Sequence, residues 1–275
     1  MKHSIVVDSC CDMTDEIKEQ LNLKIVPLYL TLGSKQIIDE NLDIPAFLKE
    51  MQACEEKVGS AAPSPHLYQQ AFEASESSFA VTLSSRLSSS YSSALIGKDM
   101  LDEKKHDVYI FDSKSAASGE LLIALKIQEL METGASKAQI IEEVEAFIKE
   151  MKTYFVLDNI DNLLKNGRLS RVKAGLIHIL NIKPLMGSDG DGNIVHYGNC
   201  RGPSKIVKKM TEIVATSNRD TSGKTAVISH CNNESLAIKL KEQLEEQYQF
   251  KQIIIVPTGG LSSLYANEKG IILAY

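Results

Sequence analysis

No apolar run in this 275-residue sequence approaches the ~18 residues that cross a bilayer, which argues against stable membrane insertion. The five cysteines are odd in number and scattered, and no C-x-x-C occurs, so neither a disulfide framework nor a zinc site is expected. The net charge of -6 comes without a basic stripe, and aromatics make up only 6% of the chain. Nothing offers nucleic acid an electrostatic footprint or a stacking platform. No G-x-S-x-G frames any serine, and the six histidines stand alone, so a serine hydrolase would lack its base and a metal its ligand shell. TSGKT at 221 to 225 lacks the first glycine of a phosphate-binding loop, Asn218 standing in its place. Asp189, Asp191 and Asn193 begin like a calcium loop, but the twelfth position is Cys200, and the run reads better as a hairpin turn. No catalytic residue, metal or cofactor is therefore assigned.

What is present is a composition of 43% hydrophobic and 24% charged residues, typical of a globular protein, on a chain long enough for two lobes. The start, MKHSIVVDSCC, meets Asp8 too early for a secretory signal core, so a cytoplasmic protein is expected. Short β-branched runs (HSIVV, LKIVPLYLTL, FAVTL, DVYIF) alternate with segments of helical period, which predicts a parallel sheet with helices on both faces. A long helical stretch from Ser118 to Met151, punctuated at Gly134, separates this from a second α/β half. That half contains a hairpin around GSDGDGN and ends with GIILAY. The expected lobes are residues 1–152 and 153–275.

The segment FAVTLSSRLSSSYSSA places seven serines between a strand and a helix, where a helix N-terminus leaves backbone N–H groups unpaired and attracts an anion. One serine suffices for capping, and the rest read either as solvated turn residues or as donors to a ligand. A second loop, GSAAPSP, places Ser64 as the cap of a helix beginning at Pro65 and leaves Ser60 over. Both loops can follow strand ends on one edge of a parallel sheet, where ligands of open α/β folds bind.

These segments, in order, resemble the DegV family of bacterial fatty-acid-binding proteins over essentially the whole chain. IVVDSCCDM is similar to the opening I-V-T-D-S-T-x-D, GSAAPSP to T-S-Q-P-S-P, and LSSRLSSSYSSA to L-S-S-x-L-S-G-T-Y-Q-S-A. IFDSKSAASGE is similar to D-S-x-x-x-S-x-G, LDNIDNLLKNGRLSR to L-D-x-L-x-x-L-x-x-G-G-R-I-S, and NIKPLM to I-K-P-I-L. The resemblance implies a two-lobed fold, with a parallel-sheet α/β N-terminal lobe and a mixed α/β C-terminal lobe. It also implies non-catalytic binding of a long-chain fatty acid in an apolar tunnel, with presentation to a fatty-acid kinase for acyl-phosphate formation and phospholipid synthesis.

Carried over residue by residue, the resemblance implies that the lipid carboxylate is held by Ser60 and Ser88, with Ser89 and Ser90 standing where the family has Gly and Thr. Arg168 matches the G-G-R arginine, whose ordinary role would be an interlobe contact or a helix C-terminal charge. Arg201, in NCRGPSK, matches an arginine of the acyl-phosphate step. Tyr265 falls where the family has the histidine of H-T-G-P-G, which predicts a departure in kinase coupling at the mouth of the lipid site. Two alternatives use the same serine loops: a phosphotransferase of related fold, which needs a histidine or aspartate presented to phosphate, and an acyl-processing enzyme, which needs a base near Ser88.

Overall fold

A strand that is apolar at successive positions needs cover on both of its faces, and two segments of the first half meet that condition: every residue of β1 (Ser4–Asp8) and every residue of Ser77–Thr82 is buried. The computed structural model describes residues 3–169, 182–217 and 219–275. After β1 come α1 (Asp15–Gln20), β2 (Lys24–Val26), β3 (Tyr29–Leu32), β4 (Lys35–Ile38), α2 (Ile44–Ala53) and β5 (Val58–Ala61). Then follow α3 (Pro65–Glu73), β6 (Ser77–Thr82), α4 (Ser90–Asp99), β7 (Asp107–Asp112), α5 (Ser118–Glu132) and α6 (Lys137–Glu150). The second half runs β8 (Thr153–Val156), α7 (Asp161–Lys165), β9 (Lys183–Ser188), β10 (Ile194–Cys200) and α8 (Pro203–Thr216). It continues with β11 (Thr225–His230), α9 (Glu234–Gln247), β12 (Gln252–Pro257), α10 (Gly260–Ala266) and β13 (Ile271–Ala274).

A parallel sheet of order β2-β1-β6-β7 lies between two helical layers, as the alternation of elements predicted. Ile5, Val7, Phe79 and Val81 face the core under α5 and α6, whereas Val6 and Ala80 face Tyr68, Phe72 and Ala94 of α3 and α4. That period of two assigns each strand residue to one helical layer. The run LKIVPLYLTL is not one strand. Pro27, which has no N–H to donate, ends β2, and the chain turns into β3, the middle of a separate antiparallel sheet of order β4-β3-β5.

The remaining strands form a mixed sheet of order β10-β9-β8-β13-β11-β12. The hairpin around GSDGDGN is β9 and β10, antiparallel. The strand of GIILAY, β13, is inserted in the centre, antiparallel to both β8 and β11. Helix α5, buried along most of its length, contacts β1 and β6 of the parallel sheet and β11 and β13 of the mixed one, so one apolar core is shared by both. Ser170 and Arg171 of NGRLSR, His178, Asn181 at the head of NIKPLM and Asn218 before TSGKT lie outside the described residues.

Candidate functional site

A cavity of about 300 Å³ opens where these elements meet, within the range of small-ligand sites. Its wall is mostly aliphatic and aromatic, with Leu28, Leu83, Phe155, Leu157, Leu163 and Ile272 among its residues. Ser60, Ser88, Ser89, Arg168 and Tyr265 all line it, although they come from four separate parts of the chain.

Ser60 is not a loop residue. It sits in β5 opposite Leu30, and its hydroxyl hydrogen-bonds the Tyr265 hydroxyl at 2.8 Å across 205 residues of sequence. Ser88 lies two residues before α4, where its Oγ accepts from the Ser90 N–H at 3.2 Å and leaves its own proton for another acceptor. Ser89 occupies the N-cap position of α4 without a side-chain capping bond. Arg168 lines the cavity and also donates from Nε to the Leu87 carbonyl at 3.2 Å, so it holds the serine segment from the far side of the chain. Ala61 and Ala62 extend the wall with methyl groups.

One expected ligand-binding residue is placed elsewhere. Ser90 is fully buried and turned away from the cavity: its hydroxyl donates to Asp8 Oδ2 at 2.6 Å and meets the Tyr68 hydroxyl at 2.7 Å. The physical reason is the demand of Asp8, a buried carboxylate that also accepts from the Leu83 and Cys10 N–H groups and needs every donor within reach. Arg201 is exposed between β10 and α8 and does not line the cavity. Of the other serines, Ser84 donates to the Gly192 carbonyl in the β9–β10 hairpin, and Ser85 to Asp112.

Sequence reasoning missed the β7–α5 segment as part of the wall. Lys114, paired with Asp112 at 3.0 Å, and Ala117 both line the cavity with positive φ, 53° and 56°, a backbone state that a lysine or alanine adopts at a cost of order 1 kcal/mol or more. Nearby, Ser115 and Thr153 share a hydrogen bond of 2.7 Å. The D-S-x-x-x-S-x-G match was the available signal, but it carried no residue role.

Behind the wall lie four buried carboxylates, Asp8, Asp12, Asp39 and Glu120. Burial pushes Asp12 up to about 7 and Asp39 up to about 6, and raises Asp8 and Glu120 as well. Among the described residues, Asp8, Cys10 and Glu120 bring donor atoms within 4.8 Å of one another. This set does not fit a metal: burial and the neighbouring carboxylates hold the Cys10 thiol and the Glu120 carboxyl protonated, and Asp8 already accepts three hydrogen bonds. Neither Glu120 oxygen has a partner of ordinary geometry, and a proton on Glu120 turned toward Asp8 would supply one.

Comparison with known proteins agrees with this architecture. The model of the DegV family, described as uncharacterised proteins, matches residues 2–274. A DegV domain-containing protein of Streptococcus pneumoniae is 32% identical over 280 residues, which cover 100% of this chain and 99% of that one. A DegV family structure from Ruminococcus gnavus, with vaccenic acid, superposes with a TM-score of 0.95 at 36% identity over 99% of each chain. The Fatty Acid Kinase (Fak) B3 protein of Streptococcus pneumoniae, loaded with linoleic acid, gives a TM-score of 0.92 at 31% identity over 100% of this chain and 99% of that one. A DegV family protein from Eubacterium eligens, loaded with heptadecanoic acid, gives 0.92 at 27% identity over 99% of each chain.

Proposed function

We propose, given that this chain belongs to the DegV family, that it binds a long-chain fatty acid in the cavity, does no chemistry on it, and presents it to a fatty-acid kinase. The observation that carries this reading is the cavity itself: an apolar wall with the Ser60 and Tyr265 hydroxyls, joined at 2.8 Å, and the Ser88 hydroxyl set into it. A sixteen-carbon chain leaving water gains about 0.8 kcal/mol per methylene, roughly 11 kcal/mol gross, from which association and ordering take several. A carboxylate drawn into such a wall costs several kcal/mol unless two or three donors meet it, and neutral hydroxyls do so without trapping it as a salt bridge would.

Among the described residues, those lining the cavity include no histidine, aspartate or glutamate that would serve Ser88 as a base, which favours a carrier over an acyl-processing enzyme. In this reading residues 1–152 supply the carboxylate donors and residues 153–275 complete the wall, with Arg201 outside the cavity as a contact for the kinase step. The kinase link rests on the likeness to the Fak B3 protein. Five unpaired cysteines suit a reducing compartment, and we place the protein in the cytoplasm on that ground. Among the described residues no helix is long and apolar enough to cross a membrane.

Native mass spectrometry of the purified protein, followed by extraction and identification of what it carries, tests the reading. The expected result is one fatty acid per chain. A protein that emerges empty and fails to take up added palmitate or oleate would sink it.

A further inference from the structure

Helix α10 gives the cavity Leu261, Ser262, Tyr265 and Ala266, and its first turn is held by two buried carboxylates from the opening segments of the chain. The Gly259 N–H donates to Asp12 Oδ1 at 2.9 Å and the Leu261 N–H to Asp39 Oδ2 at 3.0 Å. The Ser9 hydroxyl donates to the same Asp39 oxygen at 2.8 Å, fixing that carboxylate to β1. Gly260 sits so close that a Cβ there would lie 2.1 Å from Asp39 Oδ1. Farther along the helix, the Asn162 amide donates to the Leu264 carbonyl at 2.8 Å. The element that sets the Tyr265 hydroxyl on Ser60 is therefore pinned at its start by two acids.

No cation balances those acids: among the described residues no ion pair reaches Asp12 or Asp39. The groups facing them are Asp8 at the end of β1, Cys10 and Cys11 on the β1–α1 turn, Glu120 on α5, Ser229 and Cys231 on and after β11, and Ser262 on α10. Every one is acidic or neutral. Asp12 Oδ2 and Ser229 Oγ, both fully buried, have no hydrogen-bond partner of ordinary geometry, and a proton on Asp12 Oδ2 would give that oxygen something to donate. Backbone and serine donors favour the ionised forms, but burial outweighs them at both residues.

We propose that Asp12 and Asp39 are positioning residues that keep α10 closed over the cavity while they carry protons and loosen it as they ionise, so that bound lipid exchanges faster in alkaline medium. The inference rests on the fatty-acid reading above. The sign follows from linkage: a carboxyl that water reaches when α10 opens returns toward its ordinary value near 4, so the closed state binds protons more tightly. Lowering the pH favours the closed form, and raising it through the range from about 6 to about 7 favours the open one.

The test is the rate at which a fluorescent fatty acid leaves the full chain for acceptor phosphatidylcholine vesicles between pH 5.5 and 8.5. Wild type is compared with Asp12→Asn and Asp39→Asn, which keep the acceptor oxygen and cannot ionise. The expected wild-type rate rises at least about tenfold across that range, since a carboxyl at about 7 that returns toward about 4 on opening shifts the closed-to-open balance by up to roughly thirtyfold between those limits, and each Asn variant reduces the rise. A slope shared by all three proteins would belong to the ligand's own carboxyl and would overturn the proposal, as would a flat wild-type profile.

If an Asn variant does not fold, hydrogen exchange at the Gly259 and Leu261 amides of wild type, corrected for the intrinsic pH dependence, decides. Protection should fall as pH rises, and constant protection rejects the clamp. Native mass spectrometry in parallel separates the two readings. Lipid bound at every pH with no pH effect on release removes only the clamp, whereas no lipid at any pH removes the fatty-acid reading and the clamp's role with it.

Discussion

Serine is small enough to serve opposite ends, and the three consecutive serines before α4 show how position decides. Ser88 faces the cavity, Ser89 is exposed at its edge, and Ser90 turns inward to Asp8. The sequence marked the run as unusual but did not separate its members, because the buried acceptor that claims Ser90 lies 82 residues away. Ser60→Ala and Ser88→Ala should each weaken fatty-acid binding by about 1 to 3 kcal/mol, since each leaves the lipid carboxylate short of a donor. Calorimetry with a single fatty acid would show it, and unchanged affinity would remove those hydroxyls from the site. Ser90→Ala should instead lose folding stability, read by urea unfolding, because Asp8 would lose its shortest hydrogen bond.

Tyr265 makes a finer case. Its phenol meets Ser60 and offers one proton, whereas a histidine there would exchange protons near neutral pH and pair with phosphate as a cation. Tyr265→His should raise acyl-phosphate formation with a purified fatty-acid kinase more than it changes lipid affinity. Wild type that already turns over as well as established partners of that kinase would contradict the role assigned to this position.

At the scale of elements, what was legible in the sequence was whatever has a local period. The alternation of strands and helices, the hairpin at GSDGDGN, the cap at Ser64 and the break at Gly134 all appear where their residues implied. The small sheet β4-β3-β5 was not legible, because β4 is largely exposed and β5, VGSA, lacks the β-branched run that announces a strand. Ser60 accordingly reads as a loop residue from the sequence. Helix packing was also hidden: at Gly97, α4 comes so close to α3 that a Cβ would lie 2.6 Å from the Pro65 carbonyl oxygen and 2.8 Å from the Tyr68 Cβ. Gly97→Ala would gain about 1 kcal/mol of helix propensity. The overlap falls partly on backbone, which cannot swing aside, and costs about 1 to 3 kcal/mol. The clash should win, lowering the urea midpoint, and a midpoint that rises would show that the helices can part at little cost.

For the molecule as a whole, the buried acids set the pH dependence of stability. The folded-state values of Asp12 and Asp39 are raised above those of the unfolded chain, so the folded protein binds more protons between about pH 4 and about pH 7. Their contribution is therefore fully present below the unfolded value and is lost as pH rises through about 6 and about 7. Thermal unfolding should show Tm falling from pH 5 to pH 8, and Asp12→Asn should remove part of that slope. A Tm that rises over this interval would mean that other groups dominate. None of this was readable in the sequence, where Asp8, Asp12 and Asp39 sit beside turns and pass for solvated residues.

The central place of β13 bears on how the protein is made. On the ribosome, β8 and β11 emerge with no strand to join them, and each keeps an unpaired, largely apolar edge until residues 271–274 have cleared the exit tunnel. The mixed sheet is thus completed by the last of its strands to be synthesised, and it is completed from the inside. During translation the nascent chain carries two half-sheets with sticky borders, the kind of species that chaperones shelter, and a stalled or clipped product ending before Ile271 would keep those borders for good.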